Sequence, residues 1–335
     1  MELNSISFAD FVALANIKFL QGAESVKNYM IDSGLVKVLD IDEHTGNTRK
    51  FSEVDTNEYL KKKGESDQAV RGKVQQGYTK TMEAYRVAEN LGISYEMKTQ
   101  NKYPEVINAL LSGGAKGYNR IDLDLSHRFT FGTATTYTDL DGETVSITCG
   151  DSLQLFYTAH LLRGSATTFR NRLANNPQLS KGGLESMERL AVEETYSQFG
   201  EKKVVNHDVL WTTDDPNTVN TAREILRSTA SPEAPNAGVT NVYSGKYRHA
   251  VLPRVATTAA GATDSTKRRY WGLASSANSS FYLGIWERPH MIAPSVGGNG
   301  EDPQTDDLDF RVRAGYGIVT VGATWVKMSS GDAAA

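Results

Sequence analysis

Apolar positions recur at helical spacing from residue 7 to 21, where Phe8, Phe11, Val12, Ala15 and Phe19 share one face. Ser7 and Asp10 have the spacing of a capping box at the start of this helix, and Gly22 is expected to end it. A shorter helical turn carries Val26, Tyr29 and Met30 up to Gly34. No compact apolar cluster follows, so residues 1–35 read as an arm that needs a surface to lie on.

The pattern then changes period. Leu35-Val36-Lys37-Val38-Leu39-Asp40-Ile41 is a strand-like run, a second strand pattern lies around Tyr78, Met82, Tyr85 and Val87, and a third covers Ile93 to Met97. Between Ser52 and Gly77 the chain is rich in charge and poor in apolar groups, so it cannot offset its ordering entropy alone. A long polar hairpin in an otherwise globular chain is expected to be a flap that reaches for a partner.

Residues 103 to 129 carry the strongest helical pattern. Tyr103, Ile107, Leu110, Leu111, Tyr118, Ile121, Leu125 and Phe129 form one stripe, and Pro104 suits the first turn. At 1.5 Å per residue this is a rod of roughly 40 Å. Gly113, Gly114 and Gly117 weaken it locally and let another backbone come close. A hairpin follows, Thr133 to Thr138 and Thr144 to Cys149, turning at Asp141-Gly142. Leu184, Met187, Leu190 and Ala191 mark the next helix, and Val204-Val205 and Val209-Leu210-Trp211 read as strands. Asp215-Pro216 opens a helix through Val219, Ala222, Ile225 and Leu226. After a loop at Pro232, Pro235 and Asn236, strands are expected at Arg248–Leu252 and Phe281–Trp286. A glycine-rich acidic loop then spans Ser295–Asp309, and a last strand pair, Phe310 to Val326, is broken by Gly315, Gly317 and Gly322.

Composition narrows the function classes. The 335 residues are 39% hydrophobic and 23% charged, enough for a substantial core, and the net charge of -4 does not favour tight nonspecific binding to a phosphate backbone. The single cysteine, Cys149, excludes an intrachain disulfide and a multi-cysteine zinc site. The most apolar early stretch, Phe8 to Leu20, is interrupted by Asp10, Asn16 and Lys18 and reads neither as a membrane span nor as a signal peptide. The protein is therefore expected to stay where it is made.

Catalytic signatures are missing from the sequence. Gly245-Lys246-Tyr247 lacks the remainder of a phosphate-binding loop, Gly315-Tyr316-Gly317 lies inside a strand pattern, and no G-x-S-x-G elbow occurs. His44, His127, His160, His207, His249 and His290 are scattered. His160, as a base near Asp151, is the one catalytic candidate, and with no nucleophile beside it a structural histidine is the preferred reading. Asp139, Asp141 and Gly142 read as a hairpin turn rather than a calcium loop, because the downstream glutamate is missing. Asp302, Asp306, Asp307 and Asp309 read as a solvated acidic loop. The basic triplets Lys61-Lys62-Lys63 and Lys267-Arg268-Arg269 are too short for a nucleic-acid stripe and suit a surface or subunit contact. No cofactor or metal is expected.

The order of these elements, with particular segments, resembles the Hong Kong 97-type major capsid protein of tailed bacteriophages, and the Mu-like major head subunit group in particular. The segments are Asp151-Ser152-Leu153-Gln154-Leu155-Phe156 leading to His160; Asn171 with Leu179-Ser180 and Leu184-Glu185; and Val209-Leu210-Trp211 leading to Thr221-Ala222-Arg223-Glu224-Ile225-Leu226. To these add Asn236 to Asn241, Val251-Leu252-Pro253-Arg254, Tyr270-Trp271-Gly272-Leu273-Ala274, and Phe310-Arg311-Val312-Arg313-Ala314-Gly315-Tyr316-Gly317. Together they cover roughly residues 36 to 330, most firmly 150 to 326.

The resemblance implies an α+β capsid fold of five parts. These are an N-terminal arm (1–35), an extended β-hairpin flap or E-loop (36–98), a peripheral domain with the spine helix (99–200), an axial domain (201–305) and a return strand with the C-terminus (306–335). It implies a structural protein, not an enzyme, that self-assembles into hexamers and pentamers and forms an icosahedral head around double-stranded DNA, without sequence-specific binding. The expected location is the virion, after assembly in the host cytoplasm. The expected partners are further copies of the chain, a separate scaffolding protein, a portal and a decoration protein, with no membrane. Lys61, Lys62, Lys63, Asp306 and Asp307 are the candidate intersubunit contacts. An encapsulin-type protein compartment and, behind it, an α/β enzyme stand as alternatives.

Overall fold

The computed structural model describes residues 8–41, 46–72, 74–94, 103–229, 240–293 and 308–332. Its helices are α1 (Phe8–Ser25), α2 (Tyr29–Asp32), α3 (Tyr103–Thr130), α4 (Lys181–Glu193) and α5 (Pro216–Arg227). Four strands form the central sheet: β1 (Lys37–Asp40), β4 (Tyr85–Ile93), β12 (Phe281–Ile292) and β13 (Leu308–Thr320), in the order β1-β12-β13-β4. β1 runs parallel to β12, and the other pairs are antiparallel. A second sheet joins β9 (Val209–Thr212), β10 (Arg248–Val251) and β11 (Trp271–Ala274) in the order β10-β9-β11. Among the described residues the strands β2 (Thr48–Thr56) and β3 (Val74–Glu83) pair only with each other.

The long helix forms as its periodicity predicts, but its environment differs from a simple amphipathic rod. Every residue from Ile121 to Thr130 is buried, so the C-terminal turns are enclosed on all sides. Ile121, Leu125 and Phe129 enter the main core with Phe281, Tyr316 and Trp325. The polar faces are covered too. Asp122 accepts the Met30 backbone N–H at 3.0 Å and pairs with Arg254, whose Nε is 3.0 Å from its second oxygen. Asp124 accepts from the hydroxyls of Tyr85 (3.0 Å) and Tyr316 (2.5 Å) and from Arg120 Nε (3.0 Å). Burial pushes both tyrosines well above the usual phenol range, and Asp124 adds to the effect. Toward the N-terminal half the stripe opens. Leu111 is exposed and Tyr118 only half-buried, so the stripe read from the sequence is not buried along its whole length.

The glycines in this helix explain how the arm is carried. A methyl group at Gly22 would overlap the Leu111 carbonyl, and one at Gly114 would overlap the Phe19 carbonyl. The two helices thus cross backbone to backbone, with Ala15 and Phe19 buried beneath α1. Gly22 does not end α1, as its sequence position suggested. It sits inside a helix that continues to Ser25.

The second sheet has its own core. Leu184, Met187 and Leu190 of α4, with Ala222, Ile225 and Leu226 of α5, pack on Leu210, Trp271 and Leu273. Both helices are capped: Ser180 accepts from the Gly183 N–H, and Asp215 accepts from the Thr218 N–H ahead of Pro216, as the sequence indicates for the second. β5 (Thr136–Thr138) and β6 (Thr144–Ser146) form the expected hairpin, with Gly142 at φ +83° in its turn, and β7 (His160–Leu161) and β8 (Thr168–Phe169) form a short antiparallel pair.

Other expectations are corrected. Val204-Val205 form no strand, and Val204 is almost fully exposed. β13 runs unbroken through Gly315 and Gly317, where the absent side chains admit Glu287 and the Glu83 carbonyl respectively. After Thr320 the chain leaves the sheet and bridges to β11 through Ala274–Val326 and Trp271–Ser329. Both β1 and β4 belong to the central sheet, so the free-standing part of the segment read as a 36–98 loop is Thr48–Glu83. Of the strand expected at 93–97, Ile93 closes β4 and Tyr95–Met97 lie outside the described residues.

Candidate functional site: the hairpin and its root

The β2–β3 hairpin has a polar, exposed tip and an anchored base. From Glu58 to Gly72 every residue is exposed, including Tyr59, Leu60 and Val70, and Val54 and Val74 on the adjoining strands are exposed as well. Lys61, Lys62 and Lys63 lie in this tip, and none has an ion pair with another described residue. Asp306 and Asp307 lie outside the described residues.

The base is tied to the body chiefly by Gln198. Its backbone N–H donates to Asp55 Oδ2 (3.0 Å), its Nε2 donates to Glu53 Oε2 (3.0 Å), and its Oε1 accepts from the Arg163 N–H (3.0 Å). Arg163 Nη1 also reaches the Gly77 carbonyl at 2.9 Å. Lys203 pairs with Asp55 at 3.2 Å, and the Glu58 N–H donates to Glu201 at 2.7 Å. Lys80 donates to the carbonyl and hydroxyl of Thr148. Burial lowers its pKa to about 8.

Local folding explains why acids gather here. β2 alternates Phe51, Glu53 and Asp55 toward the body. Phe51 stacks on Tyr282 with centroids 4.6 Å apart. A bulge sets Gly77 and Tyr78 of β3 against Glu53. From the opposite side comes Asp151, in a tight turn whose next residue, Ser152, adopts φ +66°. Asp151 is bonded to His160 Nδ1 at 2.7 Å, while Nε2 faces the Leu155 carbonyl at 3.2 Å. His160 is fully buried and stacks on Phe169, 4.9 Å between centroids.

Both ring nitrogens of His160 are therefore occupied, as befits a structural histidine. The cavity enclosed by Glu53, Tyr78, Asp151, His160, Gln198 and Thr324 has a volume of about 20 Å³, room for one water. Burial first, then Asp55 and Asp151, raise the Glu53 carboxyl to about 7. Burial likewise pushes the Cys149 thiol up. Glu53 was not singled out in the sequence. Its signal is the inward alternation Phe-x-Glu-x-Asp, visible only once the facing of β2 is known.

The other candidate groups serve the fold. The Asp139 carboxylate accepts from the backbone of Asp141 and Glu143, and Arg120 pairs with Asp139 and Asp141, so the turn holds a guanidinium. Among the described residues no cluster of His, Cys, Asp and Glu has metal-binding geometry. The Lys267-Arg268-Arg269 triplet splits: Lys267 lies 3.9 Å over the Phe131 ring, while both arginines line an open polar cleft of about 270 Å³ with Asp215 and Asp332. No helix among the described residues is long and apolar enough to cross a membrane.

No protein-family model matches the chain, and no curated protein matches its sequence. Solved structures do. A chain of Gordonia phage Cozz superposes with a TM-score of 0.50 at 14% identity, over 98% of this chain and 96% of that one. The capsid of Myoviridae phage XM1 gives 0.46 at 10% identity over 90% and 91%, and a virus-like particle from Pyrococcus furiosus gives 0.47 at 10% identity over 96% and 99%. The likeness is one of fold across nearly the whole chain, and it matches the α+β architecture described above.

Proposed function

We infer that the chain is a structural shell subunit, the major capsid protein of a tailed bacteriophage related to the Mu-like head group, whose copies close into hexamers and pentamers around double-stranded DNA. The observation that carries this reading is the hairpin. A projecting two-stranded element holds Val54, Tyr59, Leu60, Val70 and Val74 in solvent, where no other described part of the chain covers them. Single exposed apolar residues are ordinary, but five on one projecting hairpin mark a contact surface. Burying one such side chain stabilises an interface by about 1.5–3 kcal/mol. A hairpin laid on the next copy makes a head-to-tail contact, and such contacts close into rings.

In this reading α1 and α2 are the arm, α3 is the spine, the second sheet with α4 and α5 belongs to the axial domain, and β13 is the return strand. Lys61, Lys62 and Lys63 face acidic groups of a neighbour, with Asp306 and Asp307 as the compositional candidates. Scaffolding, portal and decoration proteins are the partner classes, and the virion is the location. The test is light scattering of the parent beside Tyr59→Glu/Leu60→Glu, with circular dichroism to follow folding. The parent should form rings or shells and the variant should remain a folded monomer. Equal masses would contradict the reading. If shells form around protein rather than nucleic acid, the compartment alternative replaces the viral one.

A further inference from the structure

Three carboxylates meet where the hairpin leaves the body, and among the described residues only two have a basic side chain at ion-pair distance. Asp55 has Lys203, and Asp151 has His160. Among the described residues Glu53 accepts from one side-chain donor, the neutral amide of Gln198. Its other oxygen lies against the bare backbone of Gly322, where a methyl group would overlap it. Gly322 is itself fixed, because its N–H and carbonyl both bond the Ser280 hydroxyl.

The groups facing Glu53 can be named element by element. Asp55 is on its own strand and Tyr78 on β3. Asp151, with His160 and Cys149, comes from the chain after β6. Lys203 follows α4, Tyr282 is on β12, and Arg163 lies beyond Tyr78. An ionised Glu53 would add a negative charge beside Asp55 and Asp151 in a nearly dry site, where Lys203, the cation that acts on it, is already paired with Asp55. A protonated Glu53 fits, since the neutral acid needs no such partner.

We propose that the root of the hairpin is a proton-operated latch, in which a protonated Glu53 lets the hairpin sit against the body and loss of that proton frees it. The bulge at Gly77–Tyr78 supplies a local break in the ladder opposite Glu53, and Gln198 is the clip that opens. The latch is a property of one chain and does not rest on the shell reading.

The sign follows from linkage. Burial holds the seated carboxyl at about 7, against an ordinary value of 4.5. Between those values a released hairpin loses the proton that the seated one keeps. Release therefore becomes up to about tenfold easier for each unit of rising pH in that window, and flat above it.

The test is hydrogen exchange on the full chain at the Gln198 and Glu58 amides, which bridge body and hairpin, from pH 5 to 8.5 after correction for intrinsic rates. In the parent, protection should fall by about fortyfold between pH 5 and 7, by about twofold more above pH 7, and then level. Glu53→Gln keeps the shape and the Gln198 bond without the charge, and its profile should stay flat and protected. Asp55 and Glu201 are present in both proteins, so any drift from them is common to both. Parallel profiles, or a flat parent, would overturn the latch. Should Glu53→Gln fail to fold, Gly322→Ala provides the second arm. Its methyl displaces the same carboxyl, so the step should vanish with protection low throughout, and a step retained there would overturn the proposal.

Discussion

The C-terminal half of α3 and the β2–β3 hairpin carry similar densities of charge and meet opposite fates. In α3, Arg120, Asp122, Asp124 and Arg128 are matched within the chain by Tyr85, Tyr316, Arg254, Asp139, Asp141 and backbone groups. Those charges can be buried because each has a partner at hydrogen-bonding or ion-pair distance. In the hairpin tip, Lys61, Lys62, Lys63, Glu65 and Asp67 stay in water beside Tyr59 and Leu60. The helix is complete in one chain, and the hairpin is not. In the proposed shell, the difference would separate what builds one chain from what is left for a neighbouring copy.

Acid distinguishes the two regions most strongly. Burial lowers His127, His207 and His249 to about 4 each; Lys327 adds to the effect at His207, and Arg223 and Arg227 add to it at His249. A histidine depressed in the folded state is neutral in both states above about 6.5, so its contribution is intact there. As pH falls from 6.5 toward 4 the unfolded chain takes up protons that the folded chain refuses. The ceiling is about 1.4 kcal/mol per pH unit for each histidine. Urea unfolding should therefore show the body losing up to about 2 kcal/mol from each of the buried His127 and His207 by pH 5, and less from the partly exposed His249. Over that same interval the hairpin root should tighten. A body whose stability is level from pH 7 to 5 would refute the assignment of these histidines as buried and neutral.

Removing one partner from the helix network comes next. Asp124→Ala leaves Arg120, Tyr85 and Tyr316 without their shared acceptor and should cost about 3–5 kcal/mol in denaturant unfolding. A loss below about 1 kcal/mol would mean that water reaches the site. The crossing of α1 on α3 is the third target. Gly114→Val forces a side chain into the Phe19 carbonyl and should cost about 1–3 kcal/mol, with new protease cleavage within 8–25. Unchanged cleavage would show that the arm does not lie on Gly114.

Much of the body was legible because its signals are local. Asp215-Pro216 starts its helix by capping chemistry that needs no tertiary context, and Asp141-Gly142 makes its turn for the same reason. What escaped was set by contacts distant in sequence. Gly22 resembles a helix stop until Leu111 is found against it, and Gly315 and Gly317 resemble strand breaks until Glu287 and Glu83 occupy their space. Val204-Val205 have strand propensity but no neighbouring strand to pair with. The acid cluster at Glu53 was invisible because Gln198, Asp151 and Gly322 reach it from three separate parts of the chain.

The smallest effect on folding is expected at the hairpin tip. Changing Lys61, Lys62 and Lys63 together to Glu should alter monomer stability by less than about 0.5 kcal/mol, since all three are solvated. The same change should raise the concentration at which light scattering detects assembly, and added salt should raise it for the parent through screening. Equal thresholds would assign the lysines to a solvated face and leave the contact to Tyr59 and Leu60.

The central claim, that this chain is a shell subunit whose hairpin is completed by a neighbour, is tested most directly by electron microscopy of the protein purified from expressing cells. Rings of five and six copies or closed shells of uniform diameter are expected, with the hairpin of each copy lying on the next. Dispersed single subunits at every concentration, with the Glu58–Gly72 tip still in solvent, would contradict it.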